Sequence, residues 1–566
     1  MNTDTLISKA GIEDIELHVR SYRSALKSTL EVTINSLTNS HIRMDSILHP
    51  FGQNPDQIDT SAFIYSVFRL PSVIDKADKV IIGQNPEVFN QNDFANVDDW
   101  PRVTSQGRRR PSYFNDNSKI MATFAASISD IDDLTNILIA YQTEWNKFHL
   151  ILRHLYKTYP ALKKDLGSTE FLNKFNIPYI DWLSLKSALG ANWKLRLKRI
   201  YYKTINLRIR LLAGSWLDYT KTAQQWWRNI SQTIGQKYDL QNQDIYFVSS
   251  NTHSLLNIYT GFALKHKKLI LDHIKNNHPD LYKIWLSIQN KEHYINPNDF
   301  LYFAFKSTIN DSQIKTEFEK YQRRLDITTI PNSPYLDVHL QIFPVKNLIK
   351  SRYLDPRLKI HKRNQIKNSK ALILNIDYPL GFAAYHILSE TMENVGRVKG
   401  VYLLGKAAVL NSELGDIQIP RVVFDEHSQN TYMFRNCFNS FFPFPNNQGS
   451  ILTNQKSVSV LGTFLENSAL LDTYSKNNLT VIEMESGPYL SAITEATYDQ
   501  QNPRGTIVDL NDCHIDIGII NYTSDTPYSQ AKNLGSHKLS ITGVEPTYLG
   551  TLTILQRIIE QEEDEK

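Results

Sequence analysis

Apolar residues recur along the first half of the chain at steps of three and four. From Leu134 they run Leu138, Tyr141, Trp145, Phe148, Leu152 and Leu155, which places one stripe on one helix face. Ser129, Asp130 and Asp132 stand just before it, as helix-starting residues do. Ala223, Trp226, Trp227, Ile230 and Ile234 give a second stripe. Upstream of both, 75–118 is rich in Asn, Asp, Pro and Gln and predicts a long loop with a basic tip, Arg108, Arg109 and Arg110. The run 245–248 reads as a short strand, followed by polar residues 249–253 and by the apolar-periodic Leu255, Leu256, Ile258 and Tyr259. A strand feeding a polar turn at a helix start offers free backbone N–H groups to an anion, and plain capping by Ser or Asn uses the same groups. From about residue 334 the texture changes. Strand-like runs fall at 338–343, 371–376, 401–404, 458–461, 480–484 and 515–522, with helical patterns between several of them, such as 383–392. The pattern predicts a mainly helical domain over 1–333 and an α/β domain over 334–566 with a central mixed sheet flanked by helices. The chain closes on a helix and an acidic tail, 560–566, expected to be solvated.

The 566 residues are 41% hydrophobic and 21% charged, enough apolar material for sizeable cores. A wholly disordered chain and a small disulfide scaffold are excluded, and the length predicts several domains. No run of about 18 uninterrupted apolar residues suggests a membrane span, and Met1-Asn2-Thr3-Asp4 does not begin a basic-then-apolar leader. Two cysteines, Cys437 and Cys513, fit a reducing, cytoplasmic setting, and no close Cys/His cluster offers a zinc site. The formal net charge of +4 is a cancellation. Residues 1–366 carry 48 Lys+Arg against 35 Asp+Glu, and residues 367–566 carry 14 against 23, nets of +13 and −9. Opposite signs let the two regions attract each other, and also let them serve different partners.

The densest basic stretch is 194–210, with Lys194, Arg196, Lys198, Arg199, Lys203, Arg208 and Arg210 among Trp193, Tyr201 and Tyr202. Phosphate or nucleic-acid binding is one reading. A helix with a solvated basic face and an apolar face of Leu197, Ile200, Ile205 and Ile209 is the plainer one. No nucleic-acid motif accompanies the stretch, so nucleic acid is not an expected partner.

Four segments of the second half carry chemistry. Asn375 to Ala384 ends a strand in a Pro/Gly turn, with Gly381 letting a small-residue helix start approach the sheet. Val401 to Leu410 reads as a strand opening into a Gly/Ala turn at Gly405, Lys406 and Ala407, where Lys406 offers a cation to an anionic ligand. It is followed by Gly415-Asp416-Ile417-Gln418-Ile419-Pro420. In Glu483-Met484-Glu485 two acids flank a methionine at the end of an apolar strand, so a strand there puts both carboxylates on one face. A carboxylate so placed suits a pair of sugar hydroxyls, and the methionine can pack under a sugar ring. Ser524-Asp525-Thr526-Pro527 ends another apolar strand, where a buried aspartate suits protonation of a leaving group.

Taken in order, these segments resemble the nucleoside phosphorylase/nucleosidase superfamily, the purine nucleoside and uridine phosphorylase-like fold. The loop before the family's Gly-Asp-Ile/Val-x-Ile-Pro stretch is similar to Gly405 through Pro420, its Glu-Met-Glu signature to Glu483-Met484-Glu485, and its Ser-Asp to Ser524-Asp525. The resemblance covers roughly 335–560 and leaves 1–330 without a match. It implies cleavage of the N-glycosidic bond of a purine nucleoside or nucleotide, by phosphorolysis or hydrolysis. Asp525 and Glu485 would be the catalytic residues, with Asp525 acting at the purine N7. Glu483, Met484, Ser524, Gly405, Lys406, Ala407 and Gly381 would bind substrate. No cofactor and no metal are implied; inorganic phosphate enters as a co-substrate of phosphorolysis. A homo-oligomer is implied, and the ending around Ser524 to Pro527 looks closest to AMP nucleosidases, which also carry an extra N-terminal domain. Lys406 departs from the Ser or Thr common in the family's loop and fits a phosphorylated substrate. Arg352 and Arg357 are the candidates for the family's early phosphate-binding arginine. A different class of function fits the same residues: a non-catalytic nucleotide-sensing or interaction protein whose basic N-terminal region binds a partner.

Overall fold

The computed structural model describes residues 12–28, 30–107, 110–163, 166–292, 295–309, 311–333, 335–445, 449–498, 502–527 and 541–565. Arg108 and Arg109 of the expected basic tip lie outside them. The described residues form two sheets and the helices that cover them. The first sheet has six strands: β1 (Val32–Thr33), β2 (Lys79–Gly83), β3 (Arg102–Val103), β4 (Ser112–Asn115), β5 (Ile120–Phe124) and β6 (Arg208–Leu211). They run in the order β1-β6-β2-β5-β4-β3, with β2 parallel to both β5 and β6.

This sheet adds short strands to a first region that is mainly helical, and it corrects the expectation of a long loop over 75–118. Three of its strands, β2 to β4, lie within that stretch and β5 follows directly after it. They are two to five residues long and separated by polar turns, so no apolar alternation builds up along the chain. What holds them is burial: Val80, Ile81 and Ile82 of β2 are fully buried. The helix Ile128–Thr158 carries the expected stripe and buries Leu138, Tyr141, Trp145 and Phe148. The basic stretch is not one helix. The helix Trp193–Tyr202 stops at Lys203, and Ile209 belongs to β6. Arg196 does not face solvent either. It is buried, and its Nε and Nη2 donate to Asp75 at 2.8 and 2.7 Å.

The second sheet has eleven strands: β7 (Asp244–Ser250), β8 (Thr328–Ile330), β9 (Leu340–Pro344), β10 (Leu372–Asp377), β11 (Arg397–Val409), β12 (Ile417–Asp425), β13 (Thr431–Met433), β14 (Ile451–Ser459), β15 (Val481–Glu483), β16 (Ile507–Asp509) and β17 (Asp516–Asp525). β7 lies between β10 and β11 and is parallel to both. The sheet therefore draws strands from both sides of residue 333, where the change of texture suggested a division. β10 and most of β7 are buried on both faces, as central parallel strands are. β17 is parallel to β11 and also pairs with β12, while β12, β14, β15 and β11 pair in series. The five strands β11, β15, β14, β12 and β17 thus close on themselves as a small barrel.

Two apolar cores cover the large sheet. One gathers Tyr246, Phe262, Phe300, Leu404 and Ile520 with the C-terminal helix Val544–Asp564, and the other gathers Trp226, Phe247, Leu374, Ile387 and Ile493. The core of the first region continues into the second through Val458, Phe464, Leu471 and Tyr474. The acidic tail is also corrected: Glu562 and Glu563 are buried. Glu562 accepts from Tyr246 at 2.7 Å and also binds Ser369 and Lys399, and Glu563 accepts from the Lys362 backbone at 2.6 Å. No helix among the described residues is long and apolar enough to cross a membrane.

Candidate active site

Five of the nine residues singled out in the sequence, Gly405, Lys406, Glu483, Met484 and Glu485, line one cavity at an end of the small barrel, whereas Asp525, Ser524, Ala407 and Gly381 are not among its lining residues. This cavity, of about 380 Å³, is lined by Gly405 and Lys406 from β11, by Glu483, Met484 and Glu485 from the end of β15, and by Thr526 and Pro527 after β17. Its remaining wall includes Ile47, Leu48, Tyr65 and Arg69 from the first region, together with Val460, Thr463 and Glu466 from the loop after β14. Among the described residues no group of His, Cys, Asp and Glu is arranged to hold a metal ion.

The expected turn at Gly405, Lys406 and Ala407 does not form. β11 runs through these residues to Val409, and their backbone pairs with β17, Gly405 opposite Asn521 and Ala407 opposite Thr523. The ladder then shifts, so that Ala408 faces Asp525 and Ser524 has no opposite number on β11. Such a bulge re-aims the residues that follow it. The Ser524 hydroxyl donates to the Ala407 carbonyl at 3.4 Å, and Asp525, fully buried, accepts from the Thr526 N–H at 2.9 Å. Ala407 is buried as well. Crowding by protein lowers the pKa of Lys406, Lys306 lowers it further, and Asp525 pulls the other way. Lys406 is thus within electrostatic reach of both a second lysine and the candidate acid.

Glu483 and Glu485 do not share a strand face, because β15 stops at Glu483 and the helix Ser486–Tyr498 begins directly afterwards. The buried Glu483 carboxylate turns into that helix start. It accepts from the backbone N–H groups of Glu485 and Ser486, both at 2.7 Å, and from the Ser459 hydroxyl. Burial raises its pKa against those bonds. Glu485 and Met484 are half-buried on the cavity wall.

Gly381 touches this wall from behind. Its φ is +50°, and its N–H donates to Glu485 Oε1 at 3.5 Å. A Cβ there would stand 2.5 Å from Ser129 Oγ, so the turn requires glycine on both counts. Ser129, on the helix Ile128–Thr158, accepts from the Phe382 N–H at 2.9 Å and meets His427 Nε2 at 3.0 Å, while His427 Nδ1 meets Asp425 at 3.0 Å. Burial opposes charging His427, but the bond to Asp425 and its charge outweigh burial and the His427 pKa is raised.

A second cavity, of about 610 Å³, shares Gly107 and Tyr378 with the first. Asn251, Thr252, His253, Lys306 and Arg110 line it, with Asp130, Asp337 and Asp377. The turn after β7 is closed by capping: Asn251 Oδ1 accepts from the N–H groups of His253 and Ser254 at 3.0 and 2.7 Å. Arg110, the described part of the basic tip, is buried between Asp130 and Asp133. Arg357 is likewise taken up by Asp299 and Asp355, which leaves it no free fork for a phosphate.

Tyr65, Arg69 and Glu466 were not legible as site residues. Tyr65 and Arg69 lie one turn apart on the helix Thr60–Arg69, far from the other cavity residues in sequence, and the Arg69 guanidinium stacks 3.4 Å from the Tyr65 ring centre. Glu466 sits in a short loop between β14 and the helix Ser468–Lys476.

The family model that matches residues 34–560 is that of DUF6909, a family of unknown function, and the chain belongs to that family. No protein of curated function matches it. Similar solved structures are nucleosidases and nucleoside phosphorylases. A 5'-methylthioadenosine/S-adenosylhomocysteine nucleosidase from Colwellia psychrerythraea, in complex with adenine, is 12% identical, with a TM-score of 0.26 over 41% of this chain and 90% of that one. Uridine phosphorylase from Schistosoma mansoni, in complex with uracil, is 11% identical, with a TM-score of 0.29 over 58% and 91%. An S-adenosylhomocysteine nucleosidase from Streptococcus pyogenes is 9% identical, with a TM-score of 0.28 over 56% and 98%.

Proposed function

We propose that this member of DUF6909 cleaves the N-glycosidic bond of a purine nucleoside or nucleotide, by phosphorolysis or hydrolysis, in the cavity at the end of the small barrel. One observation carries the reading. Segments separated by some 80 and 40 residues, 405–406, 483–485 and 526–527, come from three strands and line one cavity. The first two belong to the segments whose order resembles nucleoside phosphorylases and nucleosidases, and the third directly follows the Ser524-Asp525 pair of that resemblance.

The chemistry asks for little more than these groups. When the glycosidic bond breaks, its electron pair leaves with the base, and positive charge grows on the sugar. A carboxylate beside the sugar stabilises that charge, and an acid beside the base supplies its proton. Glu485 and Met484 are assigned to the ribose. Asp525 is assigned to the base and Lys406 to an anionic group of the substrate or to inorganic phosphate. Glu483 is withdrawn from direct contact, because its acceptor positions close the helix start of Ser486–Tyr498. It becomes the residue that sets the path of Met484 and Glu485.

The test is a substrate panel. Purified protein is incubated with AMP, ATP, adenosine, inosine and guanosine, with and without phosphate, and free base is measured. Base released from at least one compound is the expected result, and dependence on phosphate separates the two reactions. No base from any compound overturns the proposal and favours a nucleotide-sensing role. Asp525→Asn is expected to lower the rate by about 100-fold or more; an unaffected variant removes Asp525 from its role.

A further inference from the structure

The cavity holds one acid that the proposed chemistry does not use. Glu466 lines it, is 6% exposed, and its carboxyl has no hydrogen-bond partner among the described residues. A carboxyl that lines a cavity without a protein partner is available to whatever the cavity holds. Its surroundings say which part of a ligand it faces. The Ile47 N–H donates to the Glu466 backbone carbonyl at 3.0 Å, which fixes Ile47 and Leu48 beside it. Phe464, two residues earlier, packs edge-on against Tyr65 with ring centres 5.3 Å apart. This side of the cavity therefore presents Ile47, Leu48 and the Tyr65 ring with the Arg69 guanidinium stacked on it, whereas Glu485 and Lys406 mark the other side. A planar heterocycle suits the first and a sugar the second.

We infer that Glu466 recognises the base: its carboxylic acid donates a hydrogen bond to an acceptor on the edge of the heterocycle, a ring nitrogen or a carbonyl oxygen. This rests on the glycosidic-cleavage reading for the identity of the ligand. For such a role the carboxyl has to be protonated. Burial and then the charge of Glu426 push its pKa up to about 8. Glu426 is itself held by Tyr474 and by the Leu461 N–H at 2.8 Å. The other titratable or charged groups around Glu466 are Tyr65 and Arg69 on the helix Thr60–Arg69, Lys406 on β11, Glu483 and Glu485 after β15, and Tyr378 after β10. His41 and His49 pack on Phe464. A neutral donor selects bases that present an acceptor and loses that selectivity once ionised.

Binding of adenine and hypoxanthine is measured by calorimetry from about pH 6 to pH 9.5, on wild type, Glu466→Gln and Glu466→Leu. Wild-type affinity is expected to fall at least tenfold as pH rises through about 8. Glu466→Gln keeps an N–H donor and cannot ionise, so its affinity is expected to stay near the wild-type acidic value across the range. Glu466→Leu is expected to bind at least tenfold more weakly at pH 6. Ionisation of the base itself appears in all three proteins and is subtracted by the comparison. An identical pH profile in wild type and Glu466→Gln, wild-type affinity in Glu466→Leu, or no base binding to wild type at any pH overturns the inference. The substrate panel is run on the same samples. Base binding with the Glu466 signature but no base release overturns the enzyme reading alone, and base release with a profile indifferent to Glu466 overturns this inference alone.

Discussion

Two acids on the wall of one cavity, Glu483 at the end of β15 and Glu466 in the loop after β14, are buried to the same degree, 6% exposed each. Burial raises the pKa of both. They differ in what their oxygens meet. Glu483 accepts from two backbone N–H groups and a hydroxyl, so its carboxylate is a fixed part of a helix start. Glu466 has no hydrogen-bond partner among the described residues, lines the cavity and feels the nearby charge of Glu426. Burial and a shifted pKa do not by themselves separate a structural acid from a ligand-facing one; the count of satisfied partners does.

The sharpest way to break this comparison is to remove each carboxyl. Glu483→Ala strands three donors, two of them on the backbone of the segment that carries Met484 and Glu485. A loss of about 3–4 kcal/mol in unfolding free energy is expected, with Glu483→Gln costing less because one acceptor oxygen remains. Glu466→Ala strands nothing among the described residues and is expected to cost well under half as much. Chemical denaturation of both variants checks this, and equal losses would erase the distinction.

The second test uses pH. The folded-state pKa of Glu466, about 8, lies above its ordinary value of 4.5, so the folded protein holds this proton more tightly than the unfolded chain. Stability from that proton is fully present below the ordinary value, declines as pH rises from about 4.5 to about 8, and is flat above. Glu466→Gln lacks this dependence. Relative to wild type it is expected to gain about 4 kcal/mol in stability between pH 5 and pH 8.5. No relative gain would mean that water or a neighbour satisfies the acid and that it is a second Glu483.

How much of this was legible along the chain follows from the range of the interactions. The strand over 371–376 appears as Leu372–Asp377, because a strand buried on both faces writes an unbroken apolar run into the sequence. The run 245–248 was readable as a strand. Its place between β10 and β11 was not, because those partners lie more than 100 residues onward. The six-stranded sheet was missed for a related reason: its strands are short, and β2 draws one neighbour, β6, from beyond a long helical stretch. Gly405, Lys406, Met484 and Glu485 stood out in the sequence because each belongs to a short polar or small-residue run beside an apolar strand, and these runs line one cavity. Glu466 is one polar residue in a loop, and Tyr65 and Arg69 read as ordinary helix residues; only folding shows what they face. Charge misled in the acidic tail, where Tyr246, Ser369 and Lys399 bury Glu562.

Glu485 lies on the same cavity wall, where its Oε1 accepts from the Gly381 N–H at 3.5 Å. That turn is tied to the first region of the chain by Ser129, through the Phe382 N–H and His427. Ser129→Ala leaves the Phe382 N–H without its acceptor and takes one partner from the imidazole. The raised pKa of His427 means that its protonated form is favoured in the fold. The stability it brings is full below its ordinary value of about 6.5 and is lost as pH rises through its folded value. In the protonated form Nε2–H donates to Ser129 Oγ, a charge-assisted bond, whereas neutral imidazole loses only an ordinary one. The variant is therefore expected to lose about 2 kcal/mol near pH 5.5 and about 1 kcal/mol above pH 9. Denaturation at the two pH values checks this. A cost that is constant with pH would mean that His427 stays neutral and that Ser129 serves the Phe382 backbone alone. The acidic excess would make the turn behind Glu485 a part of the site whose anchoring weakens as pH rises, the same direction in which Glu466 loses its proton.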